Sequence, residues 1–296
     1  MDNFLMKPKI DFAFKELMTD ADIRIGFLCA VLNLKPQQIK HTDILNTYLR
    51  KEHEDDKQGI LDVRISMNDN TEIDIEIQVA KFPSWQARSL FYWSKLYSEQ
   101  IQSGQDYDTL KKCISISILD FELLNINKFY SCYHLAEDTD HSIYTDKIEF
   151  HVIELPKIPE ELKNDNLILL WAKFLNAERK EEFEMIAKKD AYIEKAYQHL
   201  QVISQDKEKR LEYETREKAI RDYNFLVRKP KEEGLEEGRM EGEKIGEQRG
   251  KEKSREQINK LNALLLQNKR YDDLERTTKD YEFQKQLMKE YGIIND

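Results

Sequence analysis

Cysteine is scarce in this chain of 296 residues. Cys29, Cys113 and Cys132 lie far apart and no CxxC spacing occurs. An odd, scattered set excludes a disulfide framework or a zinc site built on cysteine spacing, and reads as reduced core thiols. The six histidines also lack metal spacing: His134 and His141 stand seven apart in a stretch that reads as loop. Long apolar runs are missing too. No segment reaches about 18 uninterrupted apolar residues, and the opening MDNFLMKPKIDFAF carries none. Nothing directs the chain to a membrane or out of the cell, and a cytoplasmic protein is the expectation. Basic charge is not in excess either. A formal charge of −10 argues against a protein that coats nucleic acid by charge alone. It leaves room for an enzyme that meets DNA on one local basic face and grips a metal with carboxylates.

What is present divides the chain in two. The hydrophobic fraction is 40% and the charged fraction 35%, the latter well above the usual quarter. The first two thirds are rich in aromatics and periodic, so the surplus charge points to long solvated helices in the tail. Residues 9–34 predict helix, with Phe12, Phe14, Leu17 and Met18 in one apolar stripe and Ile23, Phe27, Leu28 and Val31 in another; Pro36 closes the pair. Ile44 to Leu49 predicts a short strand. Pro83 opens a helix from about Ser84 to Ser103, ended by Gly104. Strands are expected at Cys113–Leu119 (CISISIL) and Glu149–Leu155 (EFHVIEL), and helix from Asp165 to about Phe225. Strands mixed with helices in this order fit a mixed α/β sheet.

The tail carries a repeat. Gly234, Gly238, Gly242, Gly246 and Gly250 fall at a four-residue spacing, five of the nine glycines in the chain. On a helix that period drifts by about 40° per step, a slowly winding stripe along which another helix could approach. The composition is too charged for a membrane GxxxG dimer, and a solvated helical linker reads equally well. From about Glu256 two amphipathic helices are expected, with Leu261, Leu264, Leu265 and Leu266, then Leu274, Phe283, Leu287 and Met288. Lys207 to Glu243 mixes charge signs densely and reads as an exposed helix. No zinc-finger, helix-turn-helix or RNA-binding signature occurs.

The clearest local signal is Gly59 to Val79. Leu61, Val63, Ile65 and Met67 alternate with Ile60, Asp62, Arg64 and Ser66. Asn68-Asp69-Asn70 is turn chemistry. Ile73, Ile75, Ile77 and Val79 then alternate with Glu72, Asp74, Glu76 and Gln78. Two period-2 runs around a polar turn predict a β-hairpin. Side chains alternate on a strand, so Asp74, Glu76 and Gln78 share one face, and closure near Asn68 brings Asp62 opposite positions 74–76. Two carboxylates converging from adjacent strands suit a hard divalent cation, and such a cation is what phosphodiester hydrolysis at neutral pH requires. On periodicity alone the same pattern is also the wet face of an antiparallel pair.

The assembled run GILDVRISMNDNTEIDIEIQ, a lone Asp, a spacer of thirteen residues and Glu-x-Gln, resembles the catalytic hairpin of the PD-(D/E)XK nucleases. With KPKIDFAFKELM before it, RSLFYWSKLYSEQIQSGQDYDTLKKCISISILDF after it and the Gly-periodic tail, it is similar to the recombination-promoting nuclease (Rpn) family, also labelled PD-(D/E)XK nuclease family transposases. The similarity covers about residues 6–250.

That resemblance implies a metal-dependent DNA endonuclease linked to recombination or mobile elements. Asp62 and Glu76 would bind Mg²⁺, with Mn²⁺ or Ca²⁺ as alternatives, and Asp62, Glu76 and Gln78 would form the catalytic cluster. Gln78 stands where the superfamily usually has Lys, and Gln is the form this family itself carries. An amide orients a water but does not stabilise a developing hydroxide as an ammonium does; Lys15, Lys81 and Lys95 are the lysines that could supply that charge. Asp11 and Lys15, in DFAFK, match the family's opening signature and take a supporting role in metal or phosphate contact, or else one in helix capping and surface charge. Asp74 or Asp11 adds outer-shell charge. Arg88 and Tyr92, at i and i+4, share a helix face that could meet a phosphate, whereas Trp93 and Tyr97 read as core. Tyr107 belongs to the same block without a derived role, and His53, beside Glu52, Glu54 and Asp55, reads as a base or as a solvated loop residue.

The expected architecture is a PD-(D/E)XK core over 1–155, a helical extension over 156–228, a Gly-periodic helical linker over 229–254 and a small helical segment over 255–296. The expected partners are DNA and a second copy of the chain, since two symmetric sites make a double-strand break most simply, and no membrane. The runner-up is a catalytically weak or inactive nuclease fold serving as a DNA-binding or protein-interaction module. A strand-transfer transposase is a third reading, for which the chain shows no second DNA-binding domain.

Overall fold

The computed structural model describes residues 4–49, 60–67, 70–81, 84–160 and 166–294. The chain forms two compact units, Met1–Asp222 and Tyr223–Asp296.

In the first unit, helices α1 (Asp11–Thr19) and α2 (Ala21–Leu32) are separated by Asp20. The Asp20 carboxylate accepts from the N–H groups of Asp22 and Ile23, at 2.9 and 3.2 Å, satisfying donors that a helix start leaves orphaned. Arg24 is buried and donates to the carbonyl oxygens of Met18 and Thr42 and to the Thr42 hydroxyl, which ties the α1–α2 corner to β1 (Thr42–Leu45). The strand anticipated at 44–49 therefore begins and ends earlier, because this anchor fixes Thr42 in the ladder; Tyr48 makes only an isolated bridge to Ile60.

The sheet has six strands in the order β1-β2-β3-β4-β6-β5. β2 (Val63–Met67) and β3 (Glu72–Gln78) form the anticipated antiparallel hairpin. Asn70 takes the left-handed conformation beside the turn, φ 61°, and the turn's tip, Asn68-Asp69, lies outside the described residues. α3 (Trp85–Glu99) then crosses over the sheet, so β4 (Cys113–Leu119) returns parallel to β3, as a crossover helix requires. α3 stops before the expected Ser103, and Gly104 turns the chain afterwards at φ 87°. β6 (Ile148–Glu154) adds parallel to β4, and β5 (Tyr130–His134) pairs antiparallel on its outer edge.

β5 was not anticipated. Its sequence, YSCYH, lacks apolar alternation because it forms the sheet's exposed edge. It also alters two expectations. His134 ends a strand rather than sitting in a loop, and Cys132 is an exposed thiol, whereas Cys29 and Cys113 are buried as expected.

From β2 to β4 one face of the sheet is apolar. Ile65, Ile73, Ile75, Ile77, Ile114, Ile116 and Ile118 pack with α1, α2 and helices α4 (Leu167–Asn176), α5 (Lys180–Ala187), α6 (Ala191–Gln205) and α7 (Lys207–Tyr223) in a single core. Burying each such side chain contributes about 1.5–3 kcal/mol. Asn166 caps the start of the expected helical run, which breaks at residues 177–179, at Asp190 and at Asp206; the side-chain oxygens of Asn166, Asp190 and Asp206 each accept from an N–H of the turn that follows. Gly26 of α2 lets α6 approach closely, since a Cβ there would stand 2.3 Å from Cβ of Tyr192. The other face of the sheet carries the polar residues of the hairpin and is covered by α3.

In the second unit, a π-helical stretch Asn224–Arg228 precedes α8 (Lys229–Gln267), which runs unbroken through the five periodic glycines. Nothing lies within 4 Å of a Cβ built on any of them. Leu261 and Leu265 at the end of α8 pack with Leu287 and Met288 of α10 (Tyr281–Glu290), and Leu274 of α9 (Tyr271–Thr277) joins them. The amphipathic end is thus the close of α8 plus two short helices. Among the described residues, no helix is long and apolar enough to cross a membrane.

Candidate active site

The hairpin register places the carboxylates. Val63 pairs with Ile75 and Arg64 with Asp74, so Asp62, one residue before β2, falls opposite Glu76. The two side chains replace ladder bonds at this point. Glu76 Oε1 accepts from the backbone N–H of Asp62 at 2.8 Å, and Asp62 Oδ2 accepts from the backbone N–H of Ile77 at 3.1 Å. Asp74 lies on the same face, next along β3. The parallel neighbour β4 sets Ser115 beside Asp74 and Ser117 beside Glu76. Ser117 is held by Trp85, whose indole N–H donates to its hydroxyl at 3.0 Å.

Burial makes this face unusual. Asp74 is 0% and Glu76 2% exposed, so the polar side of the hairpin is not a solvated one. Among the described residues neither carboxylate oxygen of Asp74 has a hydrogen-bond partner, nor does the hydroxyl of Ser115. Burial pushes the Asp74 carboxyl well above the ordinary carboxylate range and the charge of Asp62 pushes the same way, while Arg88 and Arg64 oppose it. Burial does the same to Glu76, with Asp74 and Asp62 adding to it. A buried, unpartnered carboxylate is a costly group, and at neutral pH it calls for a positive partner.

Two cations flank the cluster. Lys15, reaching from α1, places its Nζ 2.8 Å from Asp62 Oδ1. Arg88 of α3 lies 3.8 Å from Glu76 Oε2, donates from Nε to the Tyr92 hydroxyl at 2.9 Å, and stacks between the rings of Trp85 and Tyr92, 5.3 and 5.1 Å from their centroids. Both oxygens of Asp62 are thus engaged, Oδ1 by Lys15 and Oδ2 by the Ile77 N–H, and Glu76 lies between the Asp62 N–H and Arg88.

The remaining candidates distribute as follows. Gln78 follows Glu76 on the same face, half-buried, and its amide donates to the Ala80 carbonyl at 3.2 Å. Asp11 opens α1 one turn before Lys15; among the described residues no ion pair or hydrogen bond joins it to the carboxylates. Lys81 is exposed beyond β3 and Lys95 lies about two turns past Arg88 along α3. Trp93 and Tyr97 stack on each other at 5.1 Å and pack in the small core under α3, as expected of core residues. Tyr107 is exposed, and His53 lies outside the described residues.

Two neighbours of the cluster were not singled out from sequence. Ser115 is one. Arg64 is the other, paired to Glu72 at 2.7 Å and to Glu99 at 3.2 Å beside Asp74. A signal for the first existed: Ser115 and Ser117 punctuate an otherwise apolar strand at period two, on the face that meets the hairpin's carboxylates.

The donor set consists of hard carboxylate and hydroxyl oxygens, some buried without partners. That chemistry fits magnesium, manganese or calcium. The family model described as PD-(D/E)XK nuclease family transposase matches residues 8–229, which takes in the whole cluster. Searches of curated proteins and of solved structures returned no match.

Proposed function

This chain belongs to the PD-(D/E)XK nuclease family transposases, and from that premise we propose that it is a divalent-cation-dependent DNA endonuclease whose site is the cluster of Asp62, Asp74 and Glu76. The observation that carries the reading is the pair of buried Asp74 oxygens without a partner, 0% exposed, beside the clasped Asp62 and Glu76. Folding buries the Asp74 oxygens where, among the described residues, no hydrogen-bond donor meets them, an arrangement suited to gripping a cation.

Asp62 and Glu76 would hold the cation, with Asp74 beside them. When bound, the cation supplies the Lewis acidity that activates a phosphodiester and a water. The chain's own residues do the rest. Gln78, at the end of the same strand face, orients the attacking water through its amide. Lys15 supplies the positive charge that Gln78 lacks, since its ammonium already stands at Asp62 and can offset negative charge developing there. Arg88, fixed by Trp85 and Tyr92, holds Glu76 in place and adds positive charge beside the carboxylates. Asp11, one turn before Lys15 on α1, takes an outer supporting role. A second copy of the chain would bring a second site to the opposite strand, and the family's link to recombination or mobile elements is the setting we infer for the activity.

Gln78 favours one alternative. With its amide directed at the Ala80 carbonyl, a weakly active or inactive fold that binds DNA or protein is the second reading. Conversion of supercoiled plasmid by wild type and by Asp62→Ala, each with magnesium, manganese, calcium or chelator, separates the two. Cutting by wild type alone, stopped by chelator, is expected; no cutting with any cation favours the binding module.

A further inference from the structure

A second cluster of metal-ligating side chains lies on the opposite face of the sheet. β5 carries Cys132 and His134 and β6 carries Glu149 and His151, each pair two residues apart. The antiparallel register sets Cys132 opposite His151 and His134 opposite Glu149. Directly paired residues on adjacent strands share a face, so all four side chains project together. In the neighbouring ladder Ile114 meets Glu149 and Ile116 meets His151, whereas Ser115 meets Phe150. The group therefore sits on the isoleucine side, away from Asp74 and Ser115 and two strands from the hairpin.

Among the described residues, Cys132, Glu149 and His151 are the one set of three such side chains offering ligand atoms all within 4.8 Å of one another. His151 Nε2 is 2.6 Å from Glu149 Oε1. His134 brackets the set, its Nδ1 4.0 Å from Cys132 Sγ and its Nε2 3.3 Å from Glu149 Oε2. We propose that these four residues form a site for a thiophilic divalent cation, zinc in the first instance, separate from the carboxylate cluster of the hairpin.

Three features support it. The donor set is one thiol, two imidazoles and one carboxylate, four in number and soft enough to select zinc over magnesium. His151 also has the outer partner that metal-binding histidines ordinarily have. The Tyr130 hydroxyl lies 2.8 Å from His151 Nδ1 and 3.2 Å from the Val31 carbonyl. Without a cation, Tyr130 donates to Nδ1, and Nε2–H donates to Glu149. With a cation, Tyr130 donates to Val31 and accepts from Nδ1–H, which turns the Nε2 lone pair toward the site. Both states leave every group of the relay satisfied. Thirdly, Glu149 and His151 are buried while Cys132 is exposed, so the site has a fixed floor and a route in. Lys112 pairs with Glu149 through Oε2, and Oε1, which takes the His151 Nε2–H bond without a cation, turns to the ion when Nε2 becomes a ligand. Binding would release the Cys132 thiol proton to solvent and leave a thiolate ligand, and it would pin the edge strand β5 to β6.

Cobalt(II) is the probe, because thiolate ligation gives it near-ultraviolet charge-transfer absorption. Metal-stripped full-length protein titrated with cobalt(II) should develop that band stoichiometrically, and zinc should displace it. Cys132→Ser, isosteric at an exposed position, should lose the band with its far-ultraviolet circular dichroism unchanged. Tyr130→Phe, a positioning change, should weaken cobalt binding roughly 10-fold while keeping the band. Asp62→Ala should keep both band and affinity, which separates this site from the proposed nuclease site. Absence of a thiolate band in folded wild type, or an equal band in Cys132→Ser, overturns the proposal and reduces the cluster to an ion-pair network.

Discussion

Asp62 and Glu76 hold each other's backbone: the Glu76 carboxylate accepts from the N–H of Asp62 at 2.8 Å, and the Asp62 carboxylate accepts from the N–H of Ile77 at 3.1 Å. The other Asp62 oxygen pairs with Lys15 at 2.8 Å, and the other Glu76 oxygen lies 3.8 Å from Arg88. The clasp explains why the ladder can stop at Val63 while Asp62 stays in register. It also indicates which substitutions are informative. Asp62→Asn keeps an acceptor for Ile77 and should leave the fold intact, whereas Asp62→Ala frees the end of β2 as well as removing the charge. Both should lower plasmid cleavage by at least about 100-fold, while thermal unfolding should fall only in the alanine variant.

The buried carboxylates should make stability fall as pH rises. Asp74 and Glu76 have carboxyls raised above their ordinary values of 3.8 and 4.5. The folded chain therefore holds protons that the unfolded chain has already released. That stabilisation is full below the ordinary values and is lost as pH climbs from there toward the raised ones. In chelator, urea melts of wild type should show lower stability at pH 8 than at pH 5. Asp74→Asn removes one of the groups and should raise stability at pH 8 by roughly 1–3 kcal/mol, with a smaller pH dependence. Unchanged melts would mean that Asp74 is not a strained charge.

Lys15 should matter to turnover more than to cation binding. Its ammonium stands on Asp62 Oδ1 at 2.8 Å, so Lys15→Met takes positive charge from the site without removing a ligand. Single-turnover cleavage should slow by about 10- to 100-fold, with manganese affinity equal to or above that of wild type because a competing cation is gone. A proportional loss of both would make Lys15 a structural anchor of α1.

Glycine has opposite meanings in the two units. A Cβ at Gly26 would stand 2.3 Å from Cβ and 2.5 Å from Cγ of Tyr192. Gly26→Ala should therefore destabilise the first unit by about 1–3 kcal/mol. At Gly242 nothing lies within 4 Å, and Gly242→Ala should stabilise α8 by up to about 1 kcal/mol through helix propensity. Calorimetric melting of both variants checks the pair. A destabilising Gly242→Ala would instead indicate that another helix uses the stripe.

Much of this was legible in the chain itself, and the rest was not for identifiable reasons. Period-2 alternation fixed the hairpin and put Asp62 opposite positions 74–76, because on a strand spacing alone decides the face; the register then selects Glu76. The i, i+4 spacing of Arg88 and Tyr92 likewise foretold their contact, although the guanidinium turns inward to Glu76 rather than outward. The depth of Asp74 was not legible. A period-2 acidic residue is ordinarily solvated, and only the crossover of α3 over this face buries it. Lys15 reaches Asp62 through the packing of α1 on the sheet, a contact between segments whose separation no local pattern encodes. β5 escaped because an edge strand needs no apolar alternation, and with it escaped the meeting of Cys132, His134, Glu149 and His151, whose spacing resembles no metal motif along the chain.

The central claim is that Asp62, Asp74 and Glu76 together hold a divalent cation. Calorimetric titration of manganese into wild type, Asp62→Asn, Asp74→Asn and Glu76→Gln, with Cys132→Ser as the control, tests it most directly. Saturable binding by wild type and Cys132→Ser, weakened by at least about 10-fold in each hairpin variant, is the predicted result. Equal manganese affinity in all five proteins, or none in wild type, would contradict it.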